Sequence, residues 1–330
     1  MKLLITGAAG FLGARLARTL LARGQLAGRP ITALVLADLH APPPELLADA
    51  RVQARSGALL EQAAALGAEG FDGVFHLASA VSAECELDFE LGLRSNLDTT
   101  RALLDALRLG GQAPRFVFAS SVAVFGGDAT LPLPALVRDD TLPLPQSSYG
   151  IHKFICEQLV ADYTRKGYID GRSARLMTVA VRPGRPNGAA SGFLSGIVRE
   201  PLAGLDAVCP VAPETAVALA SPAATIAGLI RAYEAAREDF GGRSALNLPA
   251  LTVTVRQMLD ALAALAGPEA LARVRFEPDP AIARLVGGWP ARFESARCAR
   301  LGLVPEADFL GVLRQYAADH PQAIRVPLRL

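Results

Sequence analysis

The chain has 330 residues, 51% of them hydrophobic and 20% charged, enough apolar material for one large domain or two intimate ones and too much for a wholly disordered chain. Its 33 basic and 32 acidic residues leave a formal net charge of +1, which excludes a broad electrostatic footprint for nucleic acid. No long unbroken apolar run suggests a bilayer span. The four cysteines, Cys85, Cys156, Cys209 and Cys298, form no Cys-x-x-Cys pair, so reduced thiols in a cytoplasm are expected, without a zinc site or disulfide framework.

Lys2–Thr6 is a short apolar run followed by glycine, the pattern of a buried strand. Phe11, Leu12, Leu16 and Leu20 then recur at helical spacing as far as Gly24. Residues 31–37, 51–55, 73–79 and 115–120 are predicted as the second to fifth strands. Helices are predicted over 88–109, stopped by Gly110-Gly111, and over 148–166. Residues 177–182 are predicted as the sixth strand. Apolar strands alternating with helices define an α/β class, a doubly wound parallel sheet of the Rossmann type. Beyond Pro183 the alternation breaks down, and a smaller, mostly helical C-terminal substrate lobe is expected. Short strands are placed at 217–219, 245–248 and 274–276. The expected division is 1–182 for the nucleotide-binding domain, with 215–248 returning to it, and 183–214 with 249–330 for the lobe.

Gly7, Gly10 and Gly13 fall between the first strand and first helix. A side chain there would keep a pyrophosphate from the backbone amides and the helix N-terminus, so the spacing points to a dinucleotide. Asp38 ends the second strand. Its carboxylate can accept both adenosine ribose hydroxyls and would repel a 2′-phosphate, favouring NAD over NADP.

Tyr149 and Lys153 stand four residues apart on one helix face. A nearby ammonium favours phenolate, so the pair predicts a tyrosine acting as a base nearer neutrality. Lysine occurs only three times, at Lys2, Lys153 and Lys166, which makes the spacing informative. Ser120 and Ser121 lie at the C-terminal end of the fifth strand, where ligands gather in open α/β sheets, and a hydroxyl there can bond a substrate hydroxyl. His40, His76, His152 and His320 show no metal-ligand spacing, and no metal is expected.

TGAAGFLG at 6–13, Asp38, HLAS at 76–79, Asn96, FASSVAVFG at 118–126 and YGIHK at 149–153 together resemble the extended short-chain dehydrogenase/reductase family, also called the NAD-dependent epimerase/dehydratase family. The resemblance covers the first half of the chain in order. It implies Ser121, Tyr149 and Lys153 as catalytic residues, with Tyr149 and Lys153 also on the cofactor. It extends the NAD site from Gly7, Gly10 and Gly13 to Phe11, Leu12, Asp38 and Leu59, then to Leu77, Ala78, Ser79, Asn96 and Pro183. It further implies a homodimer through helices starting near Asp88 and Ser148.

The departures narrow the activity. Val122-Ala123 follow Ser121 where the family's dehydratases carry an acidic pair, so dehydration is not expected. Phe125 stands where tyrosine is usual, and Ala58 replaces an adenine-side aspartate. Arg185 occupies the place of an asparagine that holds a sugar diphosphate in nucleotide-sugar epimerases, and a guanidinium there suits a carboxylate. RPGRPN at 182–187, SGIVREPL at 195–202, HLASAVSAE at 76–84 and WPARF at 289–293 are similar to one branch of the family, the D-erythronate dehydrogenases. That branch implies a small-molecule sugar-acid substrate held by Ser82, Ser121, Tyr149, Arg185 and Asn187, with no nucleic acid or membrane partner. Two alternatives stay open: a sugar-nucleotide epimerase with tightly bound NAD, and an inactive NAD-binding regulator.

Overall fold

The computed structural model describes residues 1–184 and 191–329. In chain order the elements that build the nucleotide site are β1 (Lys2–Thr6), α1 (Phe11–Arg23), β2 (Ala33–Asp38), β3 (Val52–Ser56), α2 (Leu59–Glu69), β4 (Gly73–His76), α3 (Thr99–Gly110), β5 (Arg115–Ser121), α4 (Ser148–Arg165) and β6 (Asp170–Leu176). They are followed by β7 (Thr178–Val179), α5 (Gly192–Leu202), β8 (Ala216–Ala220), α6 (Pro222–Glu234), β9 (Leu246–Asn247), β10 (Leu251–Thr254), α7 (Val255–Ala266) and α8 (Phe309–Asp319).

Seven strands form the main sheet in the order β9-β6-β5-β4-β1-β2-β3, every neighbouring pair parallel. The order reverses at β1, where β2 leaves to one side and β4 to the other, and such a switch opens a crevice at the strands' C-terminal ends. Successive residues of β1 feed opposite faces. Leu3 and Ile5 pack with Leu16 and Leu20 of α1 and Ile226 and Leu229 of α6. Leu4 packs with Leu66 of α2, Leu103 and Leu107 of α3 and Val160 of α4. A third core holds the C-terminal lobe, with Leu194 and Ile197 of α5, Leu259 and Leu262 of α7 and Leu313 of α8.

The sixth strand of the main sheet is Asp170–Leu176, not residues 177–182. Its sequence, DGRSARL, carries two arginines, yet five consecutive residues are buried. Burial is possible because both charges are partnered. Arg172 donates to Asp170 Oδ2 at 2.8 Å and to the carbonyls of Ala232 and Ala235 at the end of α6. Arg175 pairs with Glu157. Residues 178–179 instead join a second sheet, β10-β8-β7. Within 215–248, α6 and Leu246–Asn247 pack on or extend the main sheet, whereas Ala216–Ala220 belongs to the second one.

Candidate active site

The crevice begins at the glycine loop. Gly7 has φ +70°, in the left-handed region, and a Cβ on it would stand 2.7 Å from the Ala78 amide nitrogen. A Cβ on Gly13 would stand 2.0 Å from the Gly7 carbonyl oxygen. The backbone is thus packed as closely as glycine allows. Gly10 caps α1 without a side-chain hydrogen bond, and the first helical bond runs from the Ala14 amide to the Gly10 carbonyl at 2.9 Å. The amides of the first turn therefore have no acceptor within the helix, which fits an anionic pyrophosphate.

Asp38 closes the opposite side. Its Oδ2 accepts from the Ala9 amide at 2.9 Å and its Oδ1 from the His40 amide at 3.0 Å. The carboxylate is tied to the glycine loop at the end of β2, where an adenosine ribose would arrive. Leu59 opens α2 beyond the neighbouring β3.

Leu77, Ala78 and Ser79 follow β4 along the floor. Asn96, buried in a π-helical turn over Leu93–Asp98, accepts from Ser79 Oγ at 3.0 Å and from the Ala80 amide at 2.7 Å through Oδ1. Beneath them His76 lies 2.6 Å from Thr6 Oγ1 through Nδ1 and 2.9 Å from Thr100 Oγ1 through Nε2. Thr100 Oγ1 donates to the Asn96 carbonyl, and Thr6 Oγ1 accepts from the Ala78 amide. Those commitments leave one consistent assignment: Nε2 carries the proton and Nδ1 accepts. Burial holds the imidazole neutral, its pKa lowered to about 3.

The structure separates the two serines at the end of β5. Ser120 is buried and its hydroxyl donates to Glu157, so it is engaged below the crevice. Ser121 caps the following 3₁₀ turn and faces the Tyr149 phenol. Lys153 is buried, donates to the Ala119 carbonyl at 2.8 Å, and lies 5.6 Å from the Tyr149 ring centre. Burial pulls its pKa down to about 8. The Tyr149 phenol is raised by burial, and Ser121 and Arg182 oppose the rise. The Lys153 ammonium points toward a backbone carbonyl and is itself weakened by desolvation.

Ser82 opens a short helix, Ser82–Leu87, beyond the Ser79 loop, and Pro183 lies just past the β7 segment. Arg185 and Asn187 fall outside the described residues. Sequence reasoning missed two groups near the site. Arg182 donates to the Val179 carbonyl at 3.1 Å and to Ser191 Oγ at 3.1 Å, and acts electrostatically on the phenol. Glu157 was legible in principle, since it stands one helical turn past Lys153.

The model of the NAD dependent epimerase/dehydratase family matches residues 3–214. A D-erythronate dehydrogenase from Cupriavidus necator is 48% identical over 323 residues, covering 97% of this chain and 98% of that protein. One from Haemophilus influenzae is 41% identical over 96% of this chain and 98% of its own length. A solved structure described as a nucleoside-diphosphate-sugar epimerase from Agrobacterium tumefaciens superposes with a TM-score of 0.92 at 40% identity, covering 98% of this chain and 95% of that one. The chain belongs to the NAD dependent epimerase/dehydratase family. It is an NAD-dependent oxidoreductase.

Proposed function

We propose that the chain oxidises the 2-hydroxyl of a four-carbon sugar acid, converting D-erythronate to 2-dehydro-D-erythronate. The observation that carries this reading is the convergence of Ser121, Tyr149 and Lys153 at the C-terminal end of β5 and the start of α4. Near full-length similarity to two D-erythronate dehydrogenases supports the substrate.

The pyrophosphate of NAD would rest on Gly7, Gly10, Phe11, Leu12 and Gly13, the adenosine ribose on Asp38, and the adenine against Leu59. Leu77, Ala78, Ser79 and Asn96 would line the span to the nicotinamide ribose, held by Tyr149 and Lys153, with Pro183 beside the ring. When bound, NAD supplies the acceptor for the hydride that leaves C2. Ser121 orients the 2-hydroxyl, and Tyr149 takes its proton. Lys153 holds positive charge behind the phenol. Ser82, Arg185 and Asn187 are assigned to the carboxylate and distal hydroxyls on their sequence positions alone.

Two further parts of the reading concern context. Leu87, Phe89, Ile151 and Ile155 are exposed on adjoining helices, which supports a homodimer through the helices near Asp88 and Ser148. Four free, buried cysteines accord with a cytoplasmic location. Among the described residues no helix is long and apolar enough to cross a membrane.

The test is NADH formation at 340 nm with a panel of four-carbon sugar acids, NADP run in parallel. D-Erythronate with NAD is expected to give the largest rate. Tyr149→Phe should lower turnover by roughly 10²–10⁴-fold, far more than it weakens NAD binding through the lost ribose contact. The description of the Agrobacterium tumefaciens structure favours a second reading, epimerisation of a sugar nucleotide. Interconversion of a UDP-sugar with no net NADH from any sugar acid would establish that one instead.

A further inference from the structure

Helix α4 is tied to the end of β5 at two successive residues. Lys153 Nζ donates to the Ala119 carbonyl at 2.8 Å. One turn further on, Glu157 Oε1 accepts from Ser120 Oγ at 2.5 Å. The next residue of the strand is Ser121. Both oxygens of Glu157 are forked by Arg175 of β6, Nε to Oε1 at 2.8 Å and Nη2 to Oε2 at 2.7 Å. Arg175 Nη1 donates to Asn247 Oδ1 at 3.2 Å, and Asn247 Nδ2 donates to the Arg138 carbonyl at 3.2 Å. Glu157 and Arg175 are 2% and 5% exposed. A buried ion pair of this kind is seldom a better source of stability than an apolar pair of the same volume, so its placement directly below the reacting groups calls for a role in the site.

We propose that Glu157, forked by Arg175, is a positioning residue: it fixes the helix carrying Tyr149 and Lys153 against the strand ending in Ser121. The inference rests on the proposed Ser–Tyr–Lys chemistry. The ammonium is also surrounded by the Cys85 and Cys156 thiols, His76 and the Tyr149 ring. Among these Glu157 is the one carboxylate, and it favours the charged form of the lysine. Arg175 spreads its own charge over the carboxylate and over the Phe125 ring, 4.7 Å away, so the pair holds its geometry without an apolar gap.

The protein's three lysines make the test direct, because ¹³Cε-labelled lysine gives three NMR signals and one belongs to Lys153. In Glu157→Gln the Lys153 titration midpoint is expected to fall by about one pH unit, and in Arg175→Gln to rise, because the carboxylate is then uncompensated. Both should lower kcat by roughly 10–100-fold, with KM and the NAD dissociation constant within about threefold. Arg175→Lys should restore the titration but only part of kcat, since it keeps the charge and loses the fork. Ser120→Ala removes one hydroxyl and should lower kcat several-fold, about three to ten times, with the lysine midpoint unmoved. It remains informative if either charge variant fails to fold. Wild-type kcat in Ser120→Ala overturns the inference, as do kcat losses that merely track lost folded protein with an unmoved Lys153 midpoint. A wild-type enzyme that reduces no NAD with any sugar acid would defeat the substrate reading, while the lysine titrations would still decide this one.

Discussion

At the scale of single residues the site is governed by desolvation. His76, Tyr149 and Lys153 each have burial as the largest cause of their shift, and each is countered by a different neighbour or by none. His76 shows the consequence for stability. Its folded pKa, about 3, lies below the ordinary 6.5, so between those values the unfolded chain binds the extra proton. Stability is then intact above pH 6.5 and is lost as the pH falls toward 3. From pH 6.5 to 5 the loss from this one group is about 2 kcal/mol. Urea unfolding of the wild type and of His76→Asn at both pH values checks it. The variant is less stable at pH 6.5 because the bonds to Thr6 and Thr100 are altered, but its further loss on acidification should be smaller by about that amount. Equal losses in both proteins would show that carboxylates such as Asp72 and Asp170, whose pKa values are lowered in the fold and which act with the same sign, account for the acid sensitivity.

At the scale of elements, the turn from β1 into α1 predicts its own fragility. Gly13→Ala would place a methyl group 2.0 Å from the Gly7 carbonyl, so the loop must open and the first-turn amides move off the anion. NAD affinity is expected to fall by about 100-fold with the far-ultraviolet circular dichroism little changed. Retained affinity, measured by calorimetry, would remove the loop from the cofactor site. This turn was legible because glycine spacing is a backbone requirement and shows directly in sequence. β1, β2, β4 and β5 were legible for a related reason: strands covered on both faces read as apolar runs. β6 was not. Its burial depends on Asp170 within the strand but also on Glu157 and the carbonyls at the end of α6, which lie outside it in sequence, and a run with two arginines looks like a surface until they are known. The same blindness hid the partners of Glu157, a residue whose place one turn past Lys153 was in plain view. Spacing reports which side chains share a helix face but not that one of them turns toward the Ala119 carbonyl.

At the scale of the whole molecule, α4 has two unlike faces. Lys153, Cys156, Glu157 and Val160 point into the sheet, while Ile151 and Ile155 are exposed beside Leu87 and Phe89. Leu87 is 88% exposed, and four large apolar side chains on adjoining helices are more than the scattered exposure of an ordinary surface. The Ser148 amide at the start of α4 donates to Glu86 at 2.7 Å, so the helix bearing Leu87 is joined to the one bearing Tyr149. A second copy covering this patch would bury all four side chains and restrain the outer face of α4. A homodimer predicts that Ile155→Arg, which sets like charges against each other across a two-fold axis, gives monomers at micromolar concentration in sedimentation velocity. The melting temperature should then lose its dependence on protein concentration, because folding and association are no longer linked. If the wild type already sediments as a monomer at every concentration, these residues have no partner in a second copy. If Ile155→Arg remains a dimer, the copies meet elsewhere, and α4 keeps its alignment through Glu157 and Arg175 from within a single chain.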